Sequence, residues 1–201
     1  MSPSTALMRD ARYTWADYCS WPDDERWELI DGVAYAMAAA PSISHQKVVG
    51  RLYSRLERAL VAGACEPFIA PTAIRLSDTD VVEPDILVVC DPAKVKASHV
   101  EGAPDLIVEV LSPGTAARDL RPKKALYERA GVKEYVVVDP LEHYAIRFVL
   151  IDDTYDRGTV VAWDEVLTFV TLAGVEVPLW EVFGLPDPVQ SDGAAAGPAV
   201  P

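Results

Sequence analysis

Apolar residues recur along this chain at two different periods, and each period predicts a different element. Between residues 42 and 62, Val48, Val49, Leu52, Leu56 and Leu60 return every three or four positions, while Arg51, Arg55 and Arg58 occupy the other side. That is the stripe of an amphipathic helix laid on a sheet. Elsewhere the spacing shortens. Residues 26–30 and 33–37 flank Asp31-Gly32, a dipeptide that tolerates the positive φ of a two-residue hairpin turn. Residues 66–76, 84–90 and 105–111 are β-branched, apolar runs separated by Asp, Pro and Lys clusters, and 134–140, 144–151 and 157–163 read as further strands. Thr14 stands as the cap of a short helix over Trp15-Ala16-Asp17-Tyr18. A second main helix is expected from about residue 121 to residue 130, with Pro122 in its first turn and Gly131 just past its end. Residues 177–185 predict a short closing helix, and the Gly/Ala/Pro-rich stretch 189–201 predicts a disordered tail. The order of elements predicts an α+β fold. One domain over residues 1–188 is expected, with a mixed central sheet, flanking helices and an N-terminal helix plus hairpin.

One position breaks the apolar pattern. In "DLIVEVLSPG" (105–114), Glu109 interrupts the run of Leu106, Ile107, Val108, Val110 and Leu111. Alternation puts Ile107 and Leu111 on its face, so the glutamate needs a cation or faces a sheet rim. Two other positions bear on it. Pro84-Asp85 opens an apolar strand, where proline is suited because it has no N–H to give to a ladder. On the second helix, Leu120, Lys123, Tyr127 and Ala130 form the stripe expected to face the sheet, which brings Lys123 to the rim of the Glu109 strand. Each residue has an ordinary explanation: a strand-cap aspartate, a structural ion pair, a lysine that snorkels to solvent. Glu28, four residues before Gly32, is alone an ordinary hairpin carboxylate.

Taken together they point to chemistry. If the strands of Asp85 and Glu109 are neighbours, cross-strand pairing brings the two carboxylates within about 5 Å. A divalent cation relieves the repulsion, and oxygen-only ligands suit Mg²⁺ or Mn²⁺ and not zinc. Such an ion activates water and neutralises charge on a phosphoryl group, and a nearby lysine stabilises the same charge.

These residues, Pro84-Asp85, Glu109 and a lysine supplied by the following helix, resemble the motif of the PD-(D/E)xK nuclease superfamily. More closely, the chain resembles the Uma-two branch of that superfamily. The stretches that carry the likeness are "WELIDG" (27–32), "APSISHQ" (40–46), "EPDILVV" (83–89), "LIVEVLSPGT" (106–115), the segment 119–132 and "EYVVVDP" (134–140). The resemblance implies a restriction-endonuclease-like core with Asp85 and Glu109 as metal ligands and the Val110 carbonyl as a third. It makes Lys123 the catalytic lysine, gives Glu28 an assisting role at the metal, and leaves His45 with either capping, packing or substrate contact. Lys124, adjacent, competes with Lys123 for the lysine role. The chain departs from the superfamily at Leu111, where a lysine usually stands, and from the branch at Val33 and Val136.

Charge complicates that picture. With 18 Lys+Arg against 31 Asp+Glu, the net charge is −13, and no basic stripe is visible for a general nucleic-acid surface. A nucleic-acid substrate, expected as DNA, therefore rests on a local basic site, on bound metal or on both. Three rivals stay in view: a metal-dependent endonuclease, a small phosphate-ester hydrolase, and a non-cutting binding or assembly module, for example a homodimer. Cys19, Cys65 and Cys90 are odd in number and scattered, which predicts reduced, mostly buried thiols. With no apolar run of membrane-spanning length and no signal-like N-terminus, a cytoplasmic protein is expected.

Overall fold

The computed structural model describes residues 11–22, 25–37 and 41–191. In chain order its elements begin with α1 (Trp15–Tyr18), β1 (Trp27–Ile30), β2 (Val33–Ala36) and α2 (Ile43–Leu60). There follow β3 (Glu66–Ile69), β4 (Ile74–Arg75), β5 (Val81–Val82), β6 (Ile86–Val89), β7 (Val100–Glu101) and β8 (Leu106–Val110). A short helix α3 (Ala116–Arg118) runs through a π-helical turn (Asp119–Lys123) into α4 (Lys124–Ala130). The chain continues with β9 (Glu134–Asp139), β10 (Tyr144–Ile151), β11 (Thr154–Tyr155) and β12 (Thr159–Ala162). It closes with β13 (Val166–Thr168), β14 (Glu176–Pro178), α5 (Leu179–Phe183) and α6 (Pro188–Ser191).

The architecture is α+β. A seven-stranded mixed sheet runs in the order β11-β10-β9-β8-β6-β3, with β12 also paired to β10. In it β8 is antiparallel to β6 and parallel to β9. A five-stranded sheet has the order β2-β1-β5-β4-β7, and β13 pairs with β14. Alternation along β8 sorts its side chains between two cores. Leu106, Val108 and Val110 join Val48, Val49, Leu52, Leu56 and Leu60 of α2 on one face. Ile107 and Leu111 join Leu126 and Tyr127 of α4 on the other, together with Ile30, Ile74, Val82 and Val100 from the five-stranded sheet. The smaller sheet therefore docks on the same side of the large sheet as α4, and Glu109 points into that seam.

Local chemistry explains the elements that position the site. Ser42 caps α2 by accepting from the His45 N–H at 3.2 Å, which fixes His45 in the first turn. The β1–β2 turn has Asp31 at φ 52 and Gly32 at φ 72. A Cβ on Gly32 would lie 3.2 Å from the Tyr13 carbonyl oxygen, so the backbone approach as well as the turn favours glycine.

Three sequence expectations need correction. The second helix does not open at Pro122. Pro122 lies within the π-turn, whose wider repeat shifts the helical phase, so Leu120 is turned outward while Asp119 and Lys123 are buried. The cysteines are not three reduced thiols: Cys65 and Cys90 form a disulfide, and Cys19 is free but exposed. The β3–β6 register pairs Glu66 with Val89, so the next rung brings together two cysteines 25 residues apart. Finally, the tail expected from residue 189 begins inside the short helix α6, and its remainder, 192–201, lies outside the described residues. Among the described residues, no helix is long and apolar enough to cross a membrane.

Candidate active site

The seam between the two sheets holds a cavity of about 260 Å³, and the sequence-selected residues Glu28, His45, Asp85, Glu109, Val110 and Lys123 all line it. Lys123 is at its centre. Its Nζ lies 2.7 Å from Glu109 Oε1, 2.8 Å from Glu28 Oε1 and 3.8 Å from Asp119 Oδ1, and the residue is almost wholly buried. The π-turn makes this reach available, because it aims Lys123 and Asp119 inward together. Tyr127, one turn on, donates its hydroxyl to the same Glu109 oxygen at 2.7 Å.

Asp85 is anchored differently. The Val110 N–H donates to Asp85 Oδ2 at 2.8 Å, and His45 Nε2 lies 3.2 Å from the same oxygen. The Ile86–Val108 pairing puts Asp85 and Glu109 at the adjoining end of their strands. Glu28 comes from β1 and is fully buried. Its Oε1 accepts from the Glu83 N–H at 3.1 Å, while its Oε2 is buried without a hydrogen-bond partner, 3.9 Å from Arg118 Nη1. Arg26 pairs with Glu83 at the mouth of the cavity.

Electrostatics follow from this crowding. Burial, and then the neighbouring carboxylates of Asp119, Asp85 and Glu28, outweigh Lys123 and push the Glu109 carboxyl up to about 8. Burial also raises Asp119, against the pull of Lys123. Desolvation works against the charge on Lys123, yet Glu109, Glu28 and Asp119 overcome it and hold the ammonium above its ordinary value. Burial likewise disfavours protonation of His45, but Asp85 and the Val110 carbonyl prevail and raise it.

The residues fit a divalent cation by charge and by donor type. Five carboxylates (Glu28, Glu83, Asp85, Glu109 and Asp119) face three permanent cations (Arg26, Arg118 and Lys123) in the cavity lining. Among the described residues no three His, Cys, Asp or Glu side chains form a ready-made metal cluster. The carboxylate oxygens of the lining suit Mg²⁺ or Mn²⁺ better than zinc. Asp85 and Glu109 are the pair best placed to hold it.

Not every candidate converges. Lys124 turns away: its Nζ stands 4.4 Å from the Phe148 ring centroid and 5.6 Å from that of Tyr155, so adjacency in sequence does not make it an alternative to Lys123. Conversely, Asp119, Arg118 and Tyr127 belong to the site although no role was expected for them. Asp119 and Tyr127 stand four residues on either side of Lys123, a spacing that puts all three on one helical face, and burial of Asp119, Lys123 and Tyr127 bears this out.

A family model described as "Uma2: Putative restriction endonuclease" matches residues 15–179. An "Uncharacterized protein slr1290" of Synechocystis sp. is 33% identical over 126 residues, which cover 61% of this chain and 66% of that protein, just under two thirds of its length. In fold, the chain is similar to a crystal structure described as "a putative nuclease belonging to DUF820" from Anabaena variabilis, with a TM-score of 0.71 and 15% identity over 85% of this chain and 97% of that one.

Proposed function

Since the chain belongs to the Uma2 family of putative restriction endonucleases, we propose that it is a metal-dependent nuclease hydrolysing phosphodiester bonds, in DNA, within the cavity around Glu109 and Lys123. The observation that carries this reading is the buried ammonium of Lys123, held at 2.7 and 2.8 Å between Glu109 and Glu28 in a cavity lined by five carboxylates. Glu28 Oε2, buried without a hydrogen bond, adds an acceptor open to an arriving cation.

In this reading Asp85 and Glu109 hold Mg²⁺ or Mn²⁺, with the Val110 carbonyl as a third oxygen. Bound there, the ion would supply an activated water and neutralise charge developing on the phosphoryl oxygens. The chain's own residues do the positioning. The Val110 N–H and His45 fix the Asp85 carboxylate, and Tyr127 fixes Glu109. Lys123 presents a permanent positive charge to the reacting phosphate without reorganisation, because its rotamer is locked by packing. Glu28 orients that ammonium from the opposite sheet.

The test is hydrolysis of plasmid DNA by wild type, Glu109→Gln and Lys123→Ala with Mg²⁺ or Mn²⁺. Nicking by wild type alone, abolished by chelation, supports the assignment. Equal nicking by all three proteins would assign the activity to another source, and an inert wild type with either metal would favour the binding-module reading.

A further inference from the structure

Arg118 lines the acidic cavity and also a second, open groove on its flank, whose other lining residues are Tyr35, Ala36, Gly114, Ala117, Arg121 and Pro122. In a chain of net charge −13 this groove is unusual, for among the described residues it is lined by two arginines and no carboxylate. We infer that it is a phosphate subsite for a nucleic-acid strand, taking a backbone phosphate next to the one presented to Lys123. The inference rests on the nuclease reading and deepens it.

Arg118 is poorly satisfied where it stands. Its Nε is buried with no hydrogen-bond partner, its Nη1 reaches the Ala36 carbonyl only at 3.5 Å, and Glu28 Oε2 is 3.9 Å away. A guanidinium offers five donors in a planar fork, and phosphate oxygens match that fork far better than one long carbonyl contact. Its carbon lies 5.9 Å from the centroid of the Tyr35 ring, which holds the plane in position and offers an aromatic face beside the groove. Arg121, three residues on, is exposed and makes no ion pair with a described residue. Both arginines line this one groove, which sets them to meet neighbouring phosphates of one strand. Together they supply the local basic site that a nucleic-acid substrate requires of so acidic a protein.

Arg121 is the residue to test, because its exposure makes its replacement harmless to folding. Fluorescence anisotropy of two labelled duplexes of unrelated sequence, titrated over a range of salt with Ca²⁺ in place of Mg²⁺, reads the subsite directly. Arg121→Ala is expected to weaken both duplexes to the same degree and to lower the salt slope of log affinity by about one, with Arg121→Glu weaker still. Unchanged affinity and slope in both variants, with wild type binding, would overturn the subsite and leave the nuclease reading standing. Wild type that binds neither duplex overturns both, and does so before any variant is made.

Discussion

The ammonium of Lys123 gathers carboxylates from three separate stretches of chain: Glu28 on β1, Glu109 on β8 and Asp119 in its own turn. Removing one partner of such a group strands the others without compensation. Lys123→Met should therefore cost about 3–5 kcal/mol in denaturant unfolding as well as activity, whereas Glu109→Gln removes activity at a smaller cost because an amide still accepts from Tyr127. A Lys123→Met protein as stable as wild type would show that the ammonium is not held by these carboxylates. Asp105 allows a cleaner test of charge. Burial alone would raise its carboxyl, but Lys133 and the Cys90 N–H, at 2.6 and 2.7 Å, bring it below its ordinary value. A depressed carboxylate stabilises the fold above the unfolded value near 4 and loses that contribution as pH falls through the folded value. Asp105→Asn should thus be about 1 kcal/mol less stable than wild type at neutral pH, with the gap closing in acid when unfolding is followed across pH. Glu109 and Asp85 stood out in the sequence because a charge in an apolar run and a Pro-Asp strand start are local signals. Arg118 did not, since its meaning lies in what the hairpin brings to it.

Elements differ in how much of themselves they write into the chain. α2 declares its period in five apolar positions between Val48 and Leu60, and the Asp31-Gly32 hairpin declares its turn chemistry. β4, β5 and β7 are two residues each, too short to show any alternation, yet they form most of the sheet that delivers Glu28. The π-turn is invisible for another reason: Pro122 signals a helix start, and only the packing of Asp119 and Lys123 against the seam makes the wider turn the better solution. Glu134 shows an element held by one side chain. At the start of β9 and fully buried, it accepts from the N–H groups of Val170 and Thr171 and from the Thr171 hydroxyl, tying the end of β13 to the large sheet. Glu134→Ala leaves these donors unmet and should lower stability by about 2–4 kcal/mol, read as a reduced urea midpoint, without altering the cavity around Lys123.

At the scale of the molecule, the sequence carried the fold class, but not the closeness of Cys65 to Cys90, which depends on a register across 25 residues. Nor did net charge disclose that arginines gather beside the acidic cavity. The junction of the two sheets has a thermal consequence. Glu28 reaches Lys123 from one sheet and Glu109 reaches it from the other, so the smaller sheet cannot swing away while the proposed centre survives. Heating should yield no folded but inert species: residual hydrolysis and native circular dichroism are expected to decay along a single curve, and an enzyme that goes silent well below its melting point would mean the rivet joins less than it touches.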